Sequence, residues 1–353
     1  MMKPNTSAAD YHAEGYCLFR DILDPGEVRE LNAELEDLVR SMPDTMVVYK
    51  DGENQEVPAR PEYLTEPHAG NPSWLELCRH PRILDAVEAV LGPDLILIMS
   101  HVISKRPGDG LPVAWHQDNT YWHSVQGTDV GTVWLAIDDA DLANGCMQVI
   151  PCSHEGYPEM DKVSTGENDL LGLTVEVTPD MAAGAIPLEM RAGSLSVHDS
   201  YVLHGSEPNT SDRRRAAYTM RYANARTVTV NTSEHWVPVY LVRGQGGAKE
   251  NGYIDLRPGK ALPGSMACRR AGDANEDQGK EGRFSRKGKG PGKSCIRLKK
   301  TRSLAKHRVS LAGQSITRTW NPSTGGRYSW STSEAPSGGT SDQFSRSREN
   351  STT

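Results

Sequence analysis

Three residues define the chemistry this chain could carry. His116 and Asp118 lie in Ala114-Trp115-His116-Gln117-Asp118, and His204 opens His204-Gly205-Ser206 far downstream. Alternate side chains of an extended chain share a face, so His-x-Asp on a strand, or at its end, aims an imidazole and a carboxylate the same way. A third imidazole from a distant strand would complete two nitrogens and one oxygen on one face of an octahedron, the ligand set of non-haem iron(II). Three positions then stay open, two for a chelating co-substrate and one for dioxygen. His-x-Asp alone is a weak signal, because the pattern arises by chance. Arg215 strengthens it. It lies eleven residues after His204, at the start of an expected strand. There its guanidinium can pair bidentately with the far carboxylate of a 2-oxo acid whose other end binds the metal. Ser206 can add a hydroxyl donor to that carboxylate.

Other residues compete for roles. His198, six residues before His204, is a rival third ligand, but only His204 has Gly-Ser and the arginine at the expected offsets. His198 is read as a core or neighbouring histidine. His101 and Lys105 could touch the 2-oxo acid, against the simpler reading of ordinary strand positions. Tyr121 and His123 are candidates to face a substrate. Arg213 and Arg214 form a basic turn with Arg215 and are expected to be solvated. Asp138, Asp139, Asp141 and Asn144 read as a loop after a strand, not as a second metal site.

Elements must hold these groups. Asp24-Pro25-Gly26-Glu27 offers an N-cap, a proline at the first helical position and a capping-box acid, and Val28, Leu31, Leu35, Leu38 and Val39 follow at helical spacing. A second helix is expected over 81–91, stopped by Gly92. From Leu95 the texture changes to short runs rich in strand formers: 95–104, 132–137, 147–151, 194–198, 201–204 and 216–222, separated by Gly, Pro, Asn and Asp. Many short strands after a helical preface predict a mainly β fold, a jelly roll flanked by helices. Residues 155–193 carry few signals and read as a long excursion near a site.

Charge divides the chain. It holds 39 Lys+Arg and 46 Asp+Glu, of which the last ninety residues carry 18 and 7. Residues 1–263 therefore have a net charge of −18 and residues 264–353 one of +11. An acidic body is a poor partner for a phosphate backbone, so no nucleic-acid partner is expected. Residues 264–353 lack apolar periodicity and are expected to be a disordered or extraneous basic tail. Six scattered cysteines without a C-x-x-C pair, and no run long enough to span a bilayer, predict a soluble cytoplasmic protein without a membrane partner. The opening residues show no signal-peptide pattern.

The sequence resembles the phytanoyl-CoA dioxygenase family, which includes ectoine hydroxylases. The resemblance rests on WHQDNTYW (115–122), TVWLAIDDADLANGCMQVIPCSH (132–154) and HGSEPNTSDRRRAAYTMRY (204–222), and covers roughly residues 10–260. It implies an oxygenase domain over 1–263, with a helical part at 10–92 and a double-stranded β-helix core at 93–243. It implies iron(II), 2-oxoglutarate and dioxygen, with His116, Asp118 and His204 as catalytic metal ligands. Arg215, Ser206, Gln117 and Trp134 would line the 2-oxoglutarate pocket. The implied reaction is hydroxylation of an unactivated C–H of a small organic substrate, with release of succinate and carbon dioxide. Asp118 retains the carboxylate that related halogenases lack, which favours hydroxylation over halogenation. Desaturation, epoxidation or ring formation at the same site stays open, as does an inactive jelly-roll binding protein. One departure stands out: Cys152-Ser153-His154 replaces the family's Gly-Ser-His, at a glycine expected to serve a turn.

Overall fold

Strand Arg215–Asn224 shows how the sequence builds the fold. Its residues alternate in chemistry, and a strand sends alternate side chains to opposite faces. Ala216, Tyr218, Met220 and Tyr222 join the main hydrophobic core. Arg215, Thr219 and Arg221 face the other way and line a cavity. The strand is central in an eight-stranded sheet, between Val130–Ala136 and Leu95–Lys105. Beyond Val130–Ala136 lie Leu195–Asp199 and Tyr16–Phe19; beyond Leu95–Lys105 lie Val239–Arg243 and Tyr253–Asp255, with Tyr63–Thr65 also paired to Leu95–Lys105. A smaller sheet runs Ile186–Pro187, Gln148–Val149, His204–Ser206, Val113–His116. Larger and smaller sheets close over the cavity as a double-stranded β-helix, the jelly roll expected.

This computed structural model describes residues 7–50, 53–108, 111–122, 124–165, 169–230, 239–247 and 251–260, and three strands at 306–311, 314–321 and 327–334. It divides into two units, residues 1–274 and 275–353. In the first, the helices cover the outer face of the large sheet. Helix Pro25–Arg40 starts on the expected capping box, Asp24 accepting from Gly26 and Glu27 while Glu27 accepts from Asp24. It sends Leu31 and Leu35 to the core, and helix Pro81–Leu91 adds Ile83, Leu84, Val87 and Leu91. No helix among the described residues is long and apolar enough to cross a membrane.

A register shift in Leu95–Lys105 sets up the site. Arg221 pairs with Met99 and Tyr222 with Leu97, so Ile98 is skipped. Such a bulge reverses the phase of the strand. Leu97 thus faces the helices while Met99, His101 and Ile103 face the cavity.

Several elements differ from the sequence reading. The region 10–92 is not helical throughout: it contains strands Tyr16–Phe19, Thr45–Lys50, Glu53–Pro58 and Tyr63–Thr65. Residues 201–203, expected as strand, form a turn, and the strand begins at His204, because Asp199 Oδ1 accepts from Tyr201 N and closes the chain on itself. The excursion 155–193 includes hairpin Lys162–Ser164 with Leu173–Val175. In the second unit, Lys306–Leu311, Gln314–Asn321 and Arg327–Glu334 pair as an antiparallel meander, regular structure in a stretch expected to have none. Ser and Thr alternate there with Ile, Val, Trp and Tyr, a period-2 pattern that polar composition obscures.

Cys152 has a φ of +62°, the left-handed region that the family's glycine would occupy at no steric cost. A side chain there costs about 1–2 kcal/mol, against which glycine's greater freedom when unfolded must be set. Cys152→Gly is therefore expected to stabilise the fold by up to about 1 kcal/mol, read as a higher urea midpoint. A lower midpoint would contradict the strain.

Candidate metal and co-substrate site

His116 ends its strand, and His204, directly opposite in the pairing register, begins its own. The two strands approach closely because residue 205 is glycine: a Cβ there would lie 2.9 Å from the Val113 carbonyl oxygen. Gln117 is extended, with φ −114° and ψ 135°, so Asp118, the next residue, returns to the face of His116. Ligand atoms of His116, Asp118 and His204 then lie within 4.8 Å of one another, and all three residues are buried. Asp118 Oδ1 is 3.8 Å from His116 Nε2 and 3.9 Å from His204 Nε2.

Hydrogen bonds fix which nitrogens are free. His116 Nδ1 is 2.8 Å from the Ala114 carbonyl oxygen, and His204 Nδ1 is 3.0 Å from that of Val202. A carbonyl only accepts, so each Nδ1 carries the proton and each Nε2 presents its lone pair inward. Burial pushes the His116 imidazole down to about 3, helped by the neighbouring His204, and burial with His198 lowers His204 to about 4. Both are neutral at pH 7. Burial alone would raise the Asp118 carboxyl; the Arg221 guanidinium, with the neighbouring His198 and His204 rings, outweighs it and holds the group well below the ordinary range. Thr132 Oγ1 donates to Asp118 Oδ2. Two neutral imidazole nitrogens and an anionic oxygen, converging in a buried cavity, fit a divalent transition metal.

The cavity has a volume of about 480 Å³. At one end is Arg215, 1% exposed. Its Nε donates to Gly145 O at 3.0 Å, Nη1 to Ile103 O at 3.4 Å and Nη2 to Ser206 Oγ at 3.5 Å; none of these partners is a carboxylate. Burial lowers this guanidinium to about 10, so it remains charged. Trp134 packs beside it, with the guanidinium carbon 5.5 Å from the ring centroid. Ser206, Trp134 and Arg215 thus line one end of the cavity that holds the triad.

Not every expected residue is there. Gln117, assigned to the co-substrate pocket by resemblance, points away from it, because the alternation that aligns His116 with Asp118 sends residue 117 to the opposite face. Its Nε2 instead donates to Pro158 O and Tyr201 O, at 2.9 and 2.8 Å. Lys105 is buried beneath the site, donating to the carbonyl oxygens of Ser206 and Glu207. His198 also lines the cavity, packed against the His204 ring and with its Nε2 3.5 Å from Asp118 Oδ2. Tyr121 and His101 line the cavity; His123 is outside the described residues. Arg214, expected in solvent, is half-buried and grips Asp138 with two bonds of 2.8 and 2.9 Å, and Arg213 pairs with Asp141. Asp141 also caps the turn at Leu142–Asn144, so this acidic loop is structural.

Sequence reasoning missed Arg221 and Thr132. Both carried a signal: Arg221 is an even number of residues from Arg215 on one strand, and Thr132 is two before Trp134 on another, so each shares a face with a residue already singled out.

A family profile, phytanoyl-CoA dioxygenase (PhyH), matches residues 11–217, more than half of the chain. The chain belongs to the phytanoyl-CoA dioxygenase family. Within that family, phytanoyl-CoA dioxygenase domain-containing protein 1 of Bos taurus is 30% identical over 161 residues, which is 45% of this chain and 55% of the relative. A probable phytanoyl-CoA dioxygenase of Caenorhabditis elegans is 25% identical over 237 residues, 61% and 73% of the two chains. The match thus spans little more than half of the bovine relative's length. Among solved structures, the non-heme monooxygenase ThoJ is 26% identical with a TM-score of 0.57, covering 70% of this chain and 86% of its own. The epimerase SnoN, in complex with Fe3+, alpha ketoglutarate and nogalamycin RO, is 25% identical with a TM-score of 0.51, covering 64% and 84%.

Proposed function

We propose that this protein is an iron(II)- and 2-oxoglutarate-dependent dioxygenase that hydroxylates an unactivated C–H of a small organic substrate, releasing succinate and carbon dioxide. One observation carries the reading. A buried arginine whose hydrogen-bond partners among the described residues include no carboxylate opens on the same cavity as two inward-facing imidazole nitrogens and a carboxylate. A buried cation without an anion is costly, and a dianionic 2-oxo acid reaching from the metal to Arg215 would relieve it. Family membership and the Fe3+ and alpha ketoglutarate held by SnoN support the same assignment.

His116, Asp118 and His204 would hold the metal. Iron(II) with 2-oxoglutarate and dioxygen supplies the oxidising power when bound. The protein's own groups orient and exclude. Backbone carbonyls of Ala114 and Val202 fix the two rings. Arg215 and Ser206 would bind the far carboxylate of 2-oxoglutarate, and Trp134 would cover it. Ile103, Val113 and Leu170 keep the cavity wall apolar and limit water. SnoN is an epimerase, so the fold alone does not dictate hydroxylation. Retention of Asp118 favours it here over halogenation. Oxygen uptake tests the reading: it should require Fe(II) and 2-oxoglutarate together and stop when either is withheld. Uptake that is indifferent to 2-oxoglutarate would refute it.

A further inference from the structure

Two cavity cations have no part in holding 2-oxoglutarate: Arg60, which is exposed, and Arg221, which is 7% exposed. Arg221 lies six residues beyond Arg215 on the same face of the same strand, about 20 Å along it at roughly 3.3 Å per residue. The cavity is therefore lined by two buried arginines set well apart, one of them, Arg221, beside the metal ligand Asp118. The Arg221 guanidinium is only partly engaged. Nη1 donates to His101 Nδ1 at 2.8 Å and to Thr219 Oγ1 at 2.5 Å, and Nη2 lies 3.5 Å from Asp118 Oδ1. Among the described residues Nε has no hydrogen-bond partner although it is buried. The edge formed by Nε and Nη2 is thus largely free, and that edge is the fork that takes a carboxylate through two parallel hydrogen bonds.

Charge strengthens the case. Asp118 is the one carboxylate within 4.0 Å of Arg221 among the described residues, with Glu66 acting on it from farther away, and Asp118 Oδ1 is also the oxygen facing both His Nε2 atoms. A metal on those atoms would draw on the same negative charge. Counted over the buried charged groups that line the cavity, Asp118, Arg215 and Arg221, together with a divalent ion and a doubly charged 2-oxo acid, one positive charge is left over. One further anion would balance it. Nearby walls suit a hydrocarbon: Tyr63 stacks on His101 with centroids 5.0 Å apart, and Met99 and Leu170 are apolar.

We propose that the free edge of Arg221 binds the carboxylate of the organic substrate, so that this enzyme acts on free monocarboxylic acids and not on their thioesters. The planar fork and the single residual charge favour a carboxylate over a phosphate monoester, which carries close to two charges at pH 7. Because Arg221 touches Asp118, the acid would lie with its carboxylate end next to the metal ligands and its chain along the apolar wall. This inference rests on the iron and 2-oxoglutarate reading of the site.

The test uses full-length protein loaded with Mn(II) in place of iron and with 2-oxoglutarate. Calorimetry then follows a ladder of straight-chain and aryl-terminated monocarboxylic acids, each alongside its primary amide. At least one acid should bind about tenfold or more tightly than its amide. Arg221→Gln should reduce that acid to the level of its amide, Arg221→Lys should recover part of the difference, and at saturating Mn(II) both variants should keep 2-oxoglutarate affinity within about threefold of wild type, while Mn(II) affinity itself falls by no more than about 100-fold because Arg221 also contacts Asp118. The proposal is overturned if no acid outbinds its amide. It is equally overturned if, at saturating Mn(II), Arg221→Gln leaves the acid bound as tightly as in wild type or weakens 2-oxoglutarate as much as the acid, which would make Arg221 a holder of Asp118 alone. Failure of wild-type protein to bind 2-oxoglutarate with Mn(II) is a different result: it removes the underlying reading, and this proposal with it.

Discussion

His116→Ala and His204→Ala should each abolish binding of Fe(II) or Mn(II), taking the full-length protein from one equivalent to none measurable at micromolar protein. Each variant removes one of three converging ligand atoms. Losing a residue that merely orients a ligand costs about 10–100-fold in metal affinity, so losing a ligand should cost at least about 100-fold. The fold should survive, since an alanine at either position leaves the paired strands and the helix-side core in place; an unchanged circular dichroism spectrum would show this. Asp118 differs. Its carboxylate also faces the buried Arg221, and Asp118→Ala would leave that cation without a counter-charge, destabilising the protein by about 3–5 kcal/mol. Asp118→Asn is the gentler probe and should still lose the metal. His198→Ala is the control. Its ring lies near Oδ2, not among the three converging ligand atoms, and metal affinity should fall by no more than about 100-fold. A bound equivalent retained in His204→Ala and lost in His198→Ala would reverse the assignment of those two histidines.

Arg215→Ala should weaken 2-oxoglutarate binding by about thirty- to thousand-fold. Breaking a charge-assisted bidentate pair in a dry cavity costs on the order of 2–4 kcal/mol, and each 1.4 kcal/mol is about tenfold. Arg215→Lys should restore only part, because a point charge cannot reproduce the fork. Mn(II) affinity should hardly change, as the arginine contacts none of the three ligands. Arg213→Ala and Arg214→Ala should leave 2-oxoglutarate affinity unaltered. Arg214→Ala should nevertheless lower thermal stability, since its partner Asp138 also accepts from the Ala216 backbone and would lose a two-bond ion pair. Calorimetric titration of 2-oxoglutarate into the Mn(II)-loaded variants checks each statement. Wild-type affinity in Arg215→Ala would remove this residue from the site.

Much of this was legible from residue types and spacing. His-x-Asp needs only one extended residue between its members to bring them together, and Gln117 is that residue. Arg215 could be placed because it opens a strand whose alternate positions face one side. The resemblance carried the jelly roll and the placing of Ser206 and Trp134 in the cavity wall. It failed for Gln117, where the same alternation gives the reason: a residue between two inward ligands must face out. Other features depend on contacts that no local pattern announces. Leu97 and Met99 have the same parity yet face opposite sides, because the bulge at Ile98 reverses the strand. His101 therefore reaches Arg221 only through a register that pairing with Arg215–Asn224 imposes. The strands Thr45–Lys50 and Glu53–Pro58 carry no strong apolar alternation, and they pair with each other rather than with the large sheet. The turn at 201–203 hid within an apolar run, since YVLH reads as strand unless Asp199 is known to close on Tyr201.

Succinate formation bears most directly on the central claim. Full-length protein would be incubated in air with Fe(II) and 2-oxoglutarate, with a panel of small organic acids added, and succinate quantified against 2-oxoglutarate consumed. The account predicts one succinate per 2-oxoglutarate, stimulation by at least one added acid, and loss of product without Fe(II), without dioxygen, in His204→Ala and in Arg215→Ala at low 2-oxoglutarate. Succinate formed equally well without iron or by His204→Ala, or none formed by the iron-loaded wild type under any of these conditions, would contradict it.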